Sequence, residues 1–549
     1  MKTVPLAAAL AAALIASLPA PVRAAEDPAT FQVPVQAGTL SNGMRLLVVE
    51  RHQAPTVSCV VKFHVGGVDE RTGQTGIAHI LEHMLFKGTD VWGTTDYAKE
   101  KPLLDSTEAL YGKILAARAA LPVEVRRDTE TFDRIVRVSH ALAVADAAPA
   151  ERRDAAKVEE LRKEAEPLLA TPGARSIFDL EAEFCRVQEE ADAFVVDDED
   201  WAILERNGAW GLNASTASDT TQYFYSLPAN RLELWALVES GRMRSPVFRQ
   251  FYKERDVIME ERRMRTDDSP GGKMWEQLHA LAFTAHPYHA PVIGWTADIA
   301  VVSRTQVEAF FRRHYAPNRA VACIVGDVTL AQVKAVMERT FGDIPRQPDP
   351  DPVVTVEPPQ PGERRATVKF PNLKVPQLAV AYHRPAIGHP DFYALDLISG
   401  ILTSGRSGRL DKAFWEKRVG QISAGNQDSL YPDLFVFTGT PMPGKTLDDV
   451  EAEIADQARR LREEPVGDEE LLRVRNQNEA GLVRGMQSNM GLAQTLSSYE
   501  ILIGWEYVNS YPGRIARVTK EDIQRVARRY LVEDNRTVVR VVPADAAGK

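Results

Sequence analysis

The sequence predicts an α+β protein made of two homologous domains, which arise by duplication of one α/β sandwich in which helices pack on a mixed or antiparallel sheet. Three observations predict this class. A helix followed by a strand, "IAVVSRTQVEAFFRRHYAPNRAVACIV" from Ile299, recurs as "IARVTKEDIQRVARRYLVEDNRTVVRVV" from Ile515. The strand in "QAPTVSCVVKFHVGG" likewise resembles the one in "KVPQLAVAYHRPAIG". Residues 345–361 contain seven prolines, which is typical of an extended linker between two domains.

The N-terminus has the pattern of a secretory signal peptide. Residues 1–24 contain one lysine, a long apolar core and a small-residue end, so we expect cleavage after Ala24 and a periplasmic or secreted protein. A membrane anchor is the alternative, but prolines interrupt the apolar core and it is short for a span. The remaining chain then divides into a catalytic domain over 25–344, a Pro-rich linker over 345–365 and a non-catalytic domain over 366–549.

Composition narrows the possible partners. The 44% hydrophobic content is enough for several domain cores, and no later segment looks transmembrane. The net charge is −10, and no basic cluster is interleaved with aromatic residues, so nucleic acid is not an expected partner. Cys59 and Cys323 lie in strand-like runs and could pair if those strands are neighbours, but two buried free thiols are the expected state.

The first domain contains a helical motif with metal-ligand spacing. In "TGIAHILEHMLFKGT", residues 75–89, a helix places His79, Glu82 and His83 on one face. Two imidazoles one turn apart can take two tetrahedral positions on Zn²⁺, and the adjacent carboxylate can deprotonate a metal-bound water. A pair of core histidines with a satisfied carboxylate is the alternative. The matching region of the second domain carries no such pair.

The segment at about 93–205 differs from its surroundings because it is rich in Ala, Glu, Arg and Leu at helical spacing. It predicts a helical insertion in the first domain. The insertion is either a lid or docking arm over the site or a solvated helical hairpin without a specific task.

The stretch "FRQFYKERDVIMEERRMR" offers three candidate carboxylates for a third ligand, Glu254, Glu260 and Glu261. Helical spacing places Glu254 and Glu261 within an apolar stripe, and Glu260 about 100° away from Glu261. The stripe consists of Val257, Ile258 and Met264. A carboxylate on a buried stripe is costly unless it is paired or binds metal, so Glu261 or Glu254 is expected to complete the site. A salt bridge to a nearby arginine is the alternative.

Three blocks in order, "HILEHMLFKGT", "GLNASTASDTTQYFYSLP" and "KERDVIMEE", resemble the signature blocks of the pitrilysin/insulinase family of inverted zinc peptidases, and its processing-peptidase branch looks most similar. The resemblance implies that His79, His83 and Glu261 bind one Zn²⁺ per chain. It further implies that Glu82 is the catalytic base and that Glu254 is a second catalytic glutamate.

The function implied by this resemblance is that of an exported zinc metalloendopeptidase, which hydrolyses unfolded peptides in an enclosed chamber with Glu82-activated zinc-bound water. Relatives hold the peptide substrate as an added strand, which assigns substrate contacts to Asn213 and Ala214. Asn213 is otherwise a turn or cap residue. Because relatives close the chamber with two double-domain halves, we expect a homodimer or a heterodimer with a related subunit. A non-catalytic scaffold subunit and a zinc-binding protein without hydrolysis are the alternatives, and the intact motif residues favour the enzyme.

Two features depart from the family pattern. The separation between His83 and Glu261 is 178 positions, longer than usual because of the helical insertion. Some relatives also use an Arg and a Tyr from a later domain. Here "GWEYVNSYPGRIARVT" contains Tyr507, Tyr511 and Arg514 in the wrong order, so this role is not assigned.

Overall fold

Two β-sheets that share an arrangement of five strands organise the structure. The computed structural model describes residues 32–544, so the expected signal peptide over 1–24 lies outside the described residues. The strands of the first sheet are β1 (Gln36–Thr39), β2 (Arg45–Glu50), β3 (Thr56–Phe63), β4 (Trp210–Thr216), β5 (Thr221–Pro228) and β6 (Ala320–Gly326). They lie in the order β1-β2-β6-β3-β5-β4, with β2 and β6 parallel and the other neighbours antiparallel.

The second sheet repeats five of these strands. Its members are β7 (Arg364–Phe370), β8 (Gln377–Arg384), β9 (Gly420–Asn426), β10 (Asp433–Pro441) and β11 (Arg536–Pro543). Their order is β7-β11-β8-β10-β9, and only β7 and β11 are parallel. The order and directions match those of β2-β6-β3-β5-β4. The predicted α+β class with a duplicated domain is therefore confirmed.

The helices of the first half are α1 (Ile77–Met84), α2 (Tyr97–Ala119), α3 (Val123–Arg127), α4 (Thr129–Ala147), α5 (Ala155–Leu168), α6 (Ala174–Asp192), α7 (Glu199–Arg206), α8 (Leu232–Arg244), α9 (Phe251–Arg262), α10 (Pro270–Ala282), α11 (Thr296–Val301), α12 (Arg304–His314) and α13 (Leu330–Phe341). Those of the second half are α14 (Pro390–Thr403), α15 (Arg409–Lys412), α16 (Leu447–Glu463), α17 (Asp468–Gly485), α18 (Asn489–Leu502), α19 (Tyr507–Arg517) and α20 (Lys520–Tyr530). Within the described residues, none of them is both long and apolar enough to cross a membrane.

Each sheet is covered on one face by helices of its own half and on the other face by a helix of the other half. Leu492 and Leu496 of α18 pack against the first sheet beside Val60, and Leu278 of α10 packs against the second sheet beside Val539. Because both faces are covered, the central strand β6 is buried along its whole length and reads as the continuous apolar run "AVACIVG". This exchange of helices locks the two halves together.

Helices α2 to α7 form the predicted helical insertion between α1 and β4. Helix α6 packs against both α2 and α4, and a small apolar core that includes Ile135, Leu168 and Ile177 lies inside the insertion. The fully buried ion pair between Arg249 and Glu100, with Nε and Oε1 2.8 Å apart, ties α2 to the chain just before α9. The insertion therefore has its own core and is joined firmly to the first half.

The Pro-rich segment is extended and held in place. Residues 345–361 contain no helix or strand. The Glu357 carboxylate accepts hydrogen bonds from the backbone N–H groups of Thr284, Ala285 and His286, at 2.9 to 3.0 Å. This segment is consequently anchored to the end of α10 while it passes from one sheet to the other.

The cysteines are free and buried. Cys59 and Cys323 lie on neighbouring strands, as their sequence context suggested, but Cys323 is opposite Val60. Successive side chains of a strand point to opposite faces, so the two thiols belong to different cores on the two sides of the sheet. The expectation of two buried free thiols is confirmed.

Candidate active site

Helix α1, which carries the HxxEH motif, begins at a glycine that the local backbone requires. Gly76 has φ 87°, which favours glycine, and a Cβ there would lie 2.6 Å from the Ile293 carbonyl oxygen. The half-buried Glu70 carboxylate accepts hydrogen bonds from the backbone N–H groups of Gly76 and Ala78, each at 2.8 Å. It thereby satisfies two of the free N–H groups at the start of the helix.

Glu70 was not identified as a functional residue in the sequence, although "VGGVDE" precedes the motif. Burial raises its pKa to about 8 in spite of the two backbone hydrogen bonds. Glu70 acts on the backbone and not on the motif side chains: its two hydrogen bonds fix the start of α1 and therefore the direction of the helix.

Three predicted ligands converge at one point. The Nε2 atoms of His79 and His83 lie 3.8 and 3.5 Å from Oε2 of Glu261 on α9. One donor atom from each residue lies within 4.8 Å of the other two. Four-coordinate zinc with bonds of about 2.0 to 2.2 Å separates neighbouring donor atoms by roughly 3.4 Å. The donor set and its spacing fit zinc.

The outer contacts of the site are also of the kind that zinc sites use. Nδ1 of His83 lies 2.8 Å from Oε1 of Glu254, and Nζ of Lys87 lies 2.6 Å from the other oxygen of that carboxylate. A carboxylate on the outer ring nitrogen fixes the tautomer that presents the inner nitrogen to a metal. The matching atom of His79, Nδ1, is buried and has no hydrogen-bond partner among residues 32–544.

The pKa values of the two histidines move in opposite directions. Burial, and then the positive charge of His83, lowers the pKa of His79 to about 4. Burial also acts to lower the pKa of His83, but the hydrogen bonds to Glu254 and Glu261 outweigh it and raise this pKa to about 9. The pKa of Glu261 is lowered, first by the hydrogen bond from His83. His79 is therefore neutral at pH 7, and binding of a metal displaces a proton from His83.

Glu82 lies beside the three ligands and contacts the edge of the first sheet. The Thr216 hydroxyl, at the end of β4, donates a 2.5 Å hydrogen bond to Oε2 of Glu82. Burial raises the pKa of Glu82, and the bond from Thr216 opposes this change. One carboxylate oxygen is thus held by the strand.

Asn213 and Ala214 lie on β4, three and two residues before Thr216. Among residues 32–544, β4 is an edge strand of the sheet and pairs with β5 alone, so one of its sides has no strand partner there. Asn213 is exposed, and its Oδ1 accepts the backbone N–H of Ala214 at 2.8 Å. The structure brings the predicted substrate contacts to the strand that also holds Glu82.

The structure corrects the reasoning that led to the third ligand. Of the apolar stripe on α9 only Ile258 is buried, whereas Val257 and Met264 are 54% and 58% exposed, so the stripe does not explain the burial of the carboxylates. The regular helix also ends at Arg262 and continues as a π-helix over Arg263–Asp267, which changes the spacing.

The three candidate carboxylates of α9 have different surroundings. Glu260 is exposed and pairs with Arg263, as its helical position suggested. Glu261 does form the alternative salt bridge, from Oε1 to Arg265 at 2.7 Å, but Oε2 remains directed to the histidines. Glu254 contacts the outer ring nitrogen of His83, which supports a positioning role, and the catalytic role that the family resemblance implies for it stays a prediction.

Arg514, Tyr507 and Tyr511 lie on α19 of the second half. Tyr507 belongs to the core of the second half, the Tyr511 hydroxyl donates to Asp396, and Arg514 donates to the Tyr393 hydroxyl. These contacts are structural, which agrees with leaving the substrate-binding Arg and Tyr unassigned.

Comparisons with known proteins relate both halves of the chain to one family. The family model described as "Insulinase (Peptidase family M16)" matches residues 45–102, which include α1, and the model "Peptidase M16 inactive domain" matches residues 302–478. The zinc protease PqqE of Helicobacter pylori is 27% identical over 348 residues, which cover 62% of this chain and 78% of that protein.

Solved structures show the same fold. The crystal structure of a protease from Helicobacter pylori superposes with a TM-score of 0.71 at 22% identity, covering 93% of this chain and all of that one. The periplasmic protease PqqL from Escherichia coli superposes with a TM-score of 0.60 at 16% identity. That alignment covers 92% of this chain but only 47% of PqqL. This chain therefore corresponds to about half of the longer protein.

Proposed function

Because the chain belongs to the pitrilysin/insulinase family of peptidases, we propose that it is an exported, zinc-dependent endopeptidase that cleaves unfolded peptides or short polypeptides. The observation that carries the proposal is the convergence of His79, His83 and Glu261 beside a buried, hydrogen-bonded Glu82. Three ligands leave one tetrahedral position open, which distinguishes a hydrolytic site from a structural one.

The residues that would hold Zn²⁺, one ion per chain, are His79 through Nε2, His83 through Nε2 and Glu261 through Oε2. When bound there, zinc supplies a Lewis acid that acidifies water and polarises the peptide carbonyl. Glu254 orients His83 through its outer nitrogen, and Lys87 holds Glu254 in turn. The relative PqqE of Helicobacter pylori is named a zinc protease, which supports this choice of metal.

Glu82 is the general base in this proposal. The Thr216 hydroxyl holds Oε2, so Oε1 is free to accept a proton from the attacking water. The protonated Glu82 then donates this proton to the departing amine nitrogen, which completes the hydrolysis and restores the carboxylate. Burial raises the pKa of Glu82, which makes the carboxylate a stronger base for the first of these proton transfers.

The substrate adds as a strand to the open side of β4. Main-chain pairing with Asn213 and Ala214 would carry the scissile bond past Thr216 to Glu82, since these residues follow one another along the strand. Pairing of this kind gives affinity with little sequence preference. It suits an enzyme that acts on unfolded peptides.

A second copy of this chain, or a related subunit without the zinc motif, would complete an enclosed chamber. This chain aligns with 47% of the PqqL chain, which supports the idea that one copy supplies only half. We propose cleavage after Ala24 and a periplasmic or secreted location, and the structural relative PqqL, a periplasmic protease of Escherichia coli, supports this location. In this scheme residues 25–344 form the catalytic domain, residues 345–365 form the Pro-rich linker, and residues 366–549 form the non-catalytic homologous domain.

Metal content and cleavage of a mixed peptide library, measured on the chain from Ala25 and on its Glu82→Gln variant, test the proposal. We expect one zinc at the site in both proteins and cleavage only by the wild type, with a loss of about 10²- to 10⁴-fold in the variant. Glu260→Gln, the same change at an exposed glutamate, is the matched control and should cleave normally. A wild type that holds zinc but cleaves nothing, alone or as a dimer, would favour a non-catalytic subunit.

A further inference from the structure

A second cluster of metal-ligating side chains lies inside the helical insertion. It consists of His140 on α4 and of Glu181 and Cys185, one turn apart on α6. Nδ1 of His140 lies 3.1 Å from Oε2 of Glu181, and one donor atom from each of the three residues lies within 4.8 Å of the other two. Glu181 and Cys185 are buried. None of these residues has a role in the proposed hydrolysis.

The contacts of this cluster direct its donor atoms towards one another. Arg118 Nη2 donates to Oε1 of Glu181 at 2.7 Å, whereas Oε2 is hydrogen-bonded to Nδ1 of His140 at 3.1 Å, so a metal ion would take the place of the proton between these two atoms. On the far side of the imidazole, Nε2 of His140 lies 3.7 Å from Oδ2 of Asp256 on α9. This is the arrangement seen around metal-binding histidines, in which one ring nitrogen meets the metal and the other meets a carboxylate.

A cavity gives access to the cluster. Its volume is about 660 Å³, and His140, Glu181 and Asp256 line it together with apolar side chains that include Phe132 and Phe184. An ion could enter by this route, and water in the cavity could supply a fourth ligand. The cluster therefore meets the requirements of donor set, outer contact and entry path.

We propose that Nδ1 of His140, Oε2 of Glu181 and Sγ of Cys185 bind a second divalent transition-metal ion, and that its identity is zinc. Thiolate, imidazole and carboxylate are the donors that zinc sites combine, whereas calcium and magnesium prefer oxygen alone. On binding, the Cys185 thiol and the Nδ1–H of His140 release their protons to solvent, and no oxidation or reduction occurs. The charges of Arg118 and the ion offset those of the two carboxylates and the thiolate.

The position of this site gives it a structural task. The ion joins α4 to α6, and His140 passes the connection to Asp256 on α9. Asp256 lies two positions after Glu254, on the opposite side of the helix from Glu254 and Glu261. The second metal thus fastens the insertion to the back of the helix that carries the third active-site ligand.

Cobalt substitution separates this site from the active site. Metal-free protein, from Ala25 onwards, is reconstituted with Co²⁺, and bound cobalt is counted while the near-ultraviolet absorption is recorded. Only a site with a cysteine ligand produces a sulfur-to-cobalt charge-transfer band, and the active site has none. We expect two cobalt ions per chain with the band in the wild type, and one cobalt without the band in Cys185→Ala.

Two further variants complete the experiment. His79→Ala should lose the active-site ion but keep the band, and Cys323→Ala, which removes a thiol outside the cluster, should keep the band and both ions. A wild-type chain without the band, whether it binds one cobalt or two, overturns the second site and leaves the proposed function standing. Because the wild type alone decides this point, a failure of Cys185→Ala to fold would not obscure the result.

Discussion

Glu254→Gln should weaken zinc binding by about tenfold, the lower end of the range for a residue that supports a metal ligand. In the structure the Glu254 carboxylate takes a 2.8 Å hydrogen bond from Nδ1 of His83 and pairs with Lys87 at 2.6 Å. Gln keeps an acceptor oxygen but loses the charge. A hydrogen bond to a charged group contributes about 1.5 to 3 kcal/mol and a neutral one about 0.5 to 1.5 kcal/mol. The difference of about 1 to 1.5 kcal/mol is roughly tenfold in affinity.

The measurement is a zinc titration of metal-free protein in competition with a chromophoric chelator. Glu254→Ala, which also removes the acceptor, should weaken binding by about 100-fold. The control is Glu260→Gln on the same helix, where the side chain is exposed and pairs with Arg263. Thermal unfolding with saturating zinc shows whether each variant is folded. If folded Glu254→Gln binds zinc as tightly as the wild type, or if Glu260→Gln weakens binding equally, the positioning role is refuted.

Three other predictions concern stability, pH and substrate binding. Arg249→Met leaves Glu100 buried without its partner and should lower the free energy of unfolding, measured in urea, by about 3 to 5 kcal/mol. Lys101→Met, which removes an exposed ion pair, is the control and should leave this free energy unchanged. Burial raises the pKa of Asp396 from 3.8 to about 7, so its contribution favours the folded state fully below pH 3.8 and is lost as pH rises through 7. Asp396→Asn should flatten the pH dependence of unfolding in that window; an unchanged slope contradicts this. Asn213→Ala should raise KM more than it lowers kcat if a peptide adds to β4, and the opposite split in steady-state kinetics would argue against that binding mode.

The helices and strands that depend on the pattern of neighbouring residues could be predicted from the sequence. The helix of "AHILEHM" follows from apolar periodicity, so the shared face of His79, Glu82 and His83 needed no tertiary information. The duplication was visible because the two helix-strand units have matching residues at matching places. In the structure these helices also begin with the same capping arrangement, Ser303 with Gln306 and Thr519 with Asp522.

The third ligand shows where local pattern failed. Glu261 and Glu254 were selected partly because an apolar stripe on α9 suggested burial, yet Val257 and Met264 on that stripe are exposed. Burial on this helix is determined by what packs against it, namely α1, α11 and, at Tyr252, aromatic side chains of the insertion. The resemblance implies a catalytic role for Glu254, which stays a prediction, and only the tertiary structure shows that its carboxylate contacts His83 Nδ1.

Sequence alone determined the features that neighbouring residues encode: the α+β class, the repeated domain, the helical insertion and the motif helix. Tertiary structure decided the rest, because it depends on distances between residues that are far apart in the chain. It brings Glu261 to within 3.5 Å of His83 across the whole insertion, and it exchanges α10 and α18 between the two sheets. It also places His140 against Glu181. Helical periodicity gives the direction of a side chain on its own helix, but only packing decides which other helix it meets.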